Sequence, residues 1–337
     1  MQVAINPPFG ILNLVEDLEK MATAAGTSSA SSLQFYKAGA RTTFFKLEGL
    51  CRLFKNTIDK DIFEELLKSF KAIEDVFGDY DYHESMYLGI SSKSGVPDEF
   101  VNYFKKKMDD SQRRMDRFIK AEYWLPVDAG KYDALKKTLL HIDWPDLEKL
   151  KERIAKQIAK EMHKIREKYE EGELDPHDIE NGMHEIRRKF RWISIYAQVL
   201  NGLIQLKAVE HLPDDLKMYH TPEVMKSPFN KLPPALKGVS PLYINDIDFF
   251  ALSWVIAELG DLKDMAIKEE AISAALEACK ITDKKDILKI RNIFQAPENC
   301  KDKSGGQAEI ILDRFIYQHR IPERIERSLK RSLIQEL

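Results

Sequence analysis

Apolar residues recur along most of this chain at intervals of three and four, the spacing that places side chains on one stripe of an α-helix. KLEGLCRLF puts Leu47, Leu50, Leu53 and Phe54 on such a stripe, and DIFEELLKSFKAIEDVF repeats the device with Phe63, Leu66, Leu67, Phe70 and Ile73. The same spacing predicts helices over 98–121, 131–141, 146–171, 179–208, 246–258, 264–279, 284–295 and 307–333. Breaks are expected at GVP (95–97), at ELDP (173–176) and along the stretch from His211 to Pro241, where proline and glycine collect. Residues 22–32, ATAAGTSSASS, are small and polar and read as a flexible lead-in. No alternating pattern of strand length stands out. The expectation is an all-α protein, with an N-terminal segment and lead-in over 1–32 followed by a helical domain over 33–335.

Two elements recur in the same order. KLEGLCRLF (46–54) aligns with KFRWISIYA (189–197), setting Lys46 against Lys189, Leu47 against Phe190, Leu50 against Ile193 and Leu53 against Tyr196. Each is followed by a second apolar helix with a related ending, FKAIEDVFGDYD (70–81) and LSWVIAELGDLKD (252–264). Gly78 and Gly260 are expected just past a helix C-terminus, where a left-handed backbone suits glycine. Asp79, Asp81, Asp261 and Asp264 then read as turn and cap groups. The recurrence predicts a duplicated helical bundle, with repeats over 33–175 and 176–335.

The charged positions are sorted by face. At about 100° per residue, His184, Arg187, Arg188 and Arg191 share one face, and Ile186, Phe190, Ile193, Ala197, Leu200 and Ile204 lie opposite. Lys189 sits at the margin. This cationic head occupies a helix start, where the macrodipole is already positive, so it costs stability unless an anion or carboxylates compensate. Over 146–171 a buried stripe of Leu147, Leu150, Ile154, Ile158, Met162, Ile165 and Tyr169 leaves Lys149, Arg153, Lys156, Lys160 and Lys164 on another face, with no carboxylate among them. Lys37, Arg41, Arg52 and Lys55 share a face with Glu48, and Arg320, Arg324, Arg327 and Arg331 also keep helical spacing. One such row is ordinarily a solvated face. Several rows in one chain point to a basic groove for a polyanion, because phosphate needs convergent donors and arginine grips it with parallel hydrogen bonds.

Composition narrows the classes. The chain has 337 residues, 44% hydrophobic and 32% charged, which describes a helix-rich globular protein with a substantial core. A formal net charge of −3 excludes a uniformly basic surface and leaves room for a local one. Few aromatics interleave with the basic residues and no groove-reading module is recognisable, so sequence-specific nucleic-acid binding is not expected. Cys51, Cys279 and Cys300 show no paired spacing and point to a reducing compartment. Without a signal-like start or an apolar run of bilayer length, the expected location is the cytoplasm, with no membrane partner. There is no Gly-x-Ser-x-Gly elbow and no P-loop, and SGG (304–306) reads as an isolated loop signal. None of the eight histidines follows a glutamate by three positions. No catalytic residue, metal or cofactor is expected.

MHEIRRKFRW (183–192) resembles the signature of the conserved histidine α-helical domain (CHAD) family, whose helices open with His-x-x-Arg and continue through a Lys/Arg-Leu-Arg-Tyr-like run. His184, Arg187, Lys189, Phe190, Arg191 and Trp192 carry the likeness, with the spacing between its two parts compressed. Leu259, Gly260, Asp261, Lys263 and Asp264 resemble the family's Leu-Gly-x-x-x-Asp turn. The first half departs from the pattern. Tyr36 or Lys37 stands at the histidine, Thr43 and Phe44 stand at arginine positions, and Tyr82 replaces the aspartate with Asp81 one residue early; Arg41 and Lys46 remain. The resemblance implies antiparallel helical bundles related by a pseudo-twofold axis around a basic surface, and binding of inorganic polyphosphate. The expected function is non-enzymatic binding of inorganic polyphosphate, or another phosphate-rich polyanion. The residues expected to carry it are His184, Arg187, Arg188, Lys189, Arg191, Lys37, Arg41, Lys46, Lys149, Arg153, Lys156, Lys160 and Lys164. A protonated His184 would add to that charge near neutral pH. The alternative is a protein–protein scaffold whose basic rows meet acidic partners, and third comes an enzyme acting on phosphorylated substrates.

Overall fold

A computed structural model describes residues 7–28, 30–126, 128, 130–296 and 300–334, apart from the side chain of Lys301. The chain is mostly helical, as the periodicity predicts. It divides into two compact units, one drawn from Met1–Lys55, Asp59–Trp144 and Glu270–Pro297, the other from Asn56–Ile58, Pro145–Glu269 and Glu298–Leu337. Among the described residues no helix is long and apolar enough to cross a membrane.

The first unit opens with α1 (Ile11–Ala25), which packs on α2 (Ser31–Lys37) and α6 (Lys131–Leu140). Between them run α3 (Ala40–Thr57), α4 (Lys60–Ser91) and α5 (Asp98–Ala121). Asp59 starts α4 by accepting a hydrogen bond from the Ile62 amide at 2.9 Å, one of the donors a helix start leaves free. The predicted stripe is then buried and extends through Phe77 and Tyr80. Its rings join Phe44, Trp124 and Tyr36 in an aromatic core, Phe44 meeting Trp124 edge-on at 4.7 Å and Tyr36 meeting Tyr80 at 5.1 Å. At the far end of α4, Ile90 joins Phe100 and Phe104 of α5 in a smaller core. The last turns of α10 (Asp246–Ala278) supply Ile272 and Leu276, and α11 (Lys284–Phe294) supplies Ile290 and Phe294.

The second unit is built on α7 (Leu147–Glu170), α8 (His184–Val199), the greater part of α10, α12 (Cys300–Asp313) and α13 (Ile321–Ile334). Asp146 caps α7 through the Lys149 amide at 2.9 Å. Leu150, Ile154, Ile158, Met162, Ile165 and Tyr169 are buried along one stripe of α7, and the helix lies along α13.

Five sequence expectations change in the structure. The helix predicted over 179–208 is broken: a π turn (Ile179–Met183) precedes α8, and Ile204 leaves the helix for a short strand, β1 (Ile204–Lys207). β1 pairs in parallel with β2 (Leu242–Asn245), Ile204 opposite Leu242, and four alternating residues are too few to signal a strand beforehand. The helices predicted over 246–258 and 264–279 are one, because Gly260 does not end the first. The single helix predicted over 307–333 is α12, a π turn (Arg314–Gln318) and α13. Arg320 takes a left-handed backbone and Pro322 sits in the first turn of α13. Residues 22–32 are no lead-in: Ala22 and Ala25 are buried in α1, and Ser32 Oγ donates to Asp116 Oδ1 at 2.7 Å. SGG at 304–306 is likewise inside α12, where Gly305 gives His177 room; a Cβ there would stand 2.8 Å from its Nδ1. The two units are divisions of packing, and the repeats over 33–175 and 176–335 remain a sequence expectation.

Candidate functional site

At the start of α8 the predicted cationic head is largely turned inward or neutralised. Arg187 does not share an outer face with Arg188 and Arg191. Its Nε donates to the Ile256 carbonyl of α10 at 2.9 Å, and its guanidinium lies over Gly260, where a Cβ would stand 2.9 Å away. Burial lowers the pKa of Arg187, while Asp264 and Asp261 pull it the other way. Arg188 and Lys189 both reach Glu185, at 2.5 and 3.0 Å, which supplies the carboxylate this helix start requires. Arg191 is half-buried. His184 is half-buried with Nδ1 unpartnered, and burial first, then Lys263 and Arg188, Arg187 and Arg191, pushes its pKa down to about 4. It is therefore uncharged near pH 7 and adds no charge to the head in the empty protein.

The first unit contains a related arrangement. Arg41 lies against Gly78, where a Cβ would stand 3.1 Å from its Nη2, and its Nε donates to Glu74 at 3.1 Å while Nη1 pairs with Asp81. Tyr36 donates to the same Asp81 at 2.6 Å. Gly78 and Gly260 both lie inside helices. Each is small because a guanidinium packs on it, not because a helix ends there. The acids after them pair with cations across and along the helices, Asp79 with Arg114 at 2.6 Å and Asp264 with Lys263 at 3.4 Å, and do not serve as turn caps. This recurrence matches Arg41 with Arg187, whereas the sequence alignment puts Arg41 opposite His184. The two registers differ by three residues, close to one helical turn.

The basic row of α7 is different. Lys149 pairs with Asp146 at 3.0 Å, Lys156 pairs with Glu152, and Arg153 donates to the Thr57 carbonyl at 3.0 Å. The row is therefore not free of carboxylates. Lys160 and Lys164 are exposed and make no ion pair among the described residues; Lys37 and Lys46 are the same in the first unit. Along the α7–α13 seam, Lys156, Lys160 and His163 face Lys330 across a groove of about 330 Å³, with Ala155, Ala159, Glu326 and Leu333 completing its wall. The two alanines are buried, and their short side chains leave the space the groove occupies. The side chains of Lys156 and Lys330 are 68% and 66% exposed, Lys156 Nζ being held by Glu152 and Lys330 Nζ standing 3.8 Å from Glu326 Oε2. Three lysines stand against one glutamate in this lining. Burial raises the Glu326 carboxyl, with His163, Lys330 and Arg166 opposing.

Sequence reasoning missed Lys330 and Glu326. Lys330 stands beside the arginine row of α13, two members of which are used internally. Arg324 Nε donates to the wholly buried Asp248 at 2.5 Å, and Arg320 Nε lies 3.4 Å from Glu323. Among the described residues no group of three or more histidine, cysteine, aspartate or glutamate side chains is placed to hold a metal ion. Comparisons with protein-family models, with curated proteins and with solved structures gave no match.

Proposed function

We propose that this chain is a non-enzymatic helical protein that binds a phosphate-rich polyanion in the groove between α7 and α13, inorganic polyphosphate being the ligand its CHAD-like signature implies. One observation carries the reading: Lys156, Lys160 and Lys330 line one groove whose wall includes two alanines, and Lys160 and Lys330 come from helices far apart in sequence. Ammonium groups at such a rim offer phosphate oxygens donors without demanding a fixed base or sugar. The guanidinium-over-glycine arrangement at Arg41 and at Arg187 supports a duplicated CHAD-like scaffold. It gives those arginines a packing role, and the ligand contacts move from the α8 head to α7 and α13. The second reading, a protein–protein scaffold, is favoured by the internal pairing of Arg188, Lys189, Lys149 and Lys156 with this chain's own carboxylates.

Calorimetric titration with short-chain polyphosphate at low salt tests the proposal. Affinity should fall steeply with added salt, as counterions compete for the phosphates. Lys160→Ala with Lys330→Ala should cost about 1 kcal/mol per lysine, the low end for a charge-assisted contact because both side chains are exposed. Arg188→Ala with Lys189→Ala should leave affinity nearly unchanged. A larger loss in that second pair would return the site to α8. Absence of binding at low salt would favour the scaffold.

A further inference from the structure

Two adjacent glycines of α12 face different surroundings. Gly305 gives His177 room, whereas a Cβ on Gly306 would meet nothing within 4 Å. A glycine inside a helix weakens it relative to alanine, and no side chain of this chain uses the space Gly306 leaves. One turn further on, Ile310 is 61% exposed, while Ser304, Ala308 and Leu312 are buried on the other side of the helix. At about 100° per residue, Gly306 and Ile310 lie about 40° apart at the centre of the outer face. Asp302 and Asp313 fall on one flank of that line, Lys303 and Arg314 on the other, and all four are exposed. Tyr169 donates to Asp313 Oδ1 at 2.9 Å and Arg314 Nη1 lies 3.8 Å from Met218 Sδ, but among the described residues none of the four makes an ion pair. Lys303 also stands within a turn of the helix start, where the macrodipole disfavours a cation.

We infer that α12 is a self-association surface, on which a second copy of this chain packs its own α12 in parallel about a two-fold axis running along the pair. In a parallel pair, opposite flanks meet at equal height, as the e and g positions of a coiled coil do. Asp302 then meets the second copy's Lys303, and Asp313 meets the second copy's Arg314, each pair occurring twice by symmetry. Gly306 lies against Gly306, which lets the two backbones approach, and Ile310 packs on Ile310 one turn along. An antiparallel pair would set acid against acid and base against base. An anionic surface would be opposed by Asp302 and Asp313, so the mixed flanks select a partner carrying both signs at the same spacing, which this helix itself provides. The 14 residues of α12 extend about 21 Å, a small contact, so the dimer is weak, with a dissociation constant on the order of 10–100 μM.

Sedimentation equilibrium of the full chain at low salt, from about 1 to 300 μM, tests this. A monomer–dimer equilibrium is expected, and Ile310→Asp should weaken it about tenfold or more, as loss of a central contact does. Gly306→Gln should raise the urea midpoint of unfolding, because its Cβ meets open space, and yet weaken association about tenfold. A glycine without an interface role would show the first effect alone. Asp302→Lys and Lys303→Asp should each associate poorly by themselves, since like charges then meet on both flanks. Mixed together, the two variants should form a heterodimer with nearly the unaltered affinity, because lysine faces aspartate on each flank again. A chain that stays monomeric throughout, a dimer that ignores Ile310→Asp and Gly306→Gln, or a mixture no tighter than its components overturns the inference.

Discussion

Replacing Arg324 with methionine should destabilise the protein through the carboxylate it leaves behind. Asp248 is wholly buried in the first turn of α10. Its Oδ1 accepts from Arg324 Nε at 2.5 Å and its Oδ2 from Asn245 Nδ2 at 3.1 Å. Methionine keeps much of the arginine stem's packing and removes the charge. For charge centres about 4 Å apart at an effective dielectric of about 20, the lost attraction is about 4 kcal/mol. That falls within the ~3–5 kcal/mol typical of breaking a buried pair on one side. The loss belongs to the stranded carboxylate, so adding Asp248→Asn should recover most of it. The pH dependence has a definite sign. Burial raises the Asp248 carboxyl above its ordinary value even with Arg324 present. A folded value above the unfolded one means that this group's favourable contribution is complete below about pH 4 and is lost as pH rises through the folded value. Without Arg324 that value rises further, so the deficit of Arg324→Met should be greatest near neutral pH and shrink on acidification. Urea unfolding of both single variants and the double variant at several pH values measures this. A deficit under ~1 kcal/mol near pH 7, or an equal deficit when Asp248 is already Asn, would refute the reasoning.

Other positions offer independent checks. With its pKa pushed down to about 4, His184 should show no ring titration between about pH 8 and 6 by NMR, and a midpoint near the ordinary value of about 6.5 would contradict its burial. Because that value is depressed, the favourable contribution of His184 is present above about pH 6.5 and lost as pH falls towards 4, so His184→Gln should reduce acid sensitivity in that window. Gly182→Ala would put a Cβ 1.6 Å from the Asp175 carbonyl oxygen and should cost about 1–3 kcal/mol or more in thermal or urea unfolding. Gly260→Ala meets the movable end of Arg187 at 2.9 Å and should cost less, so equal losses would count against the packing described.

The helical class and the bounds of α5, α6, α7 and α11 were legible in the sequence to within a residue or so, because an amphipathic stripe and an Asp cap are local signals. The sorting of charges onto faces was legible too, as a matter of helical geometry. What those charges meet was not. Arg187 and Arg188 are neighbours on one helix, yet one lies on the backbone of α10 at Gly260 and the other pairs with Glu185. Gly78 and Gly260 carry a local signal for a helix end, and only the guanidinium packed on each shows why the helix continues. β1 and β2 required each other across the 34 residues from 208 to 241, a distance no local pattern spans. Lys330 joins Lys160 only because α13 packs along α7. Periodicity assigns a residue to a face, since backbone geometry repeats every turn. Whether that face becomes a core, an ion pair or an open groove depends on side chains brought in from distant positions, and the tertiary structure alone sets those.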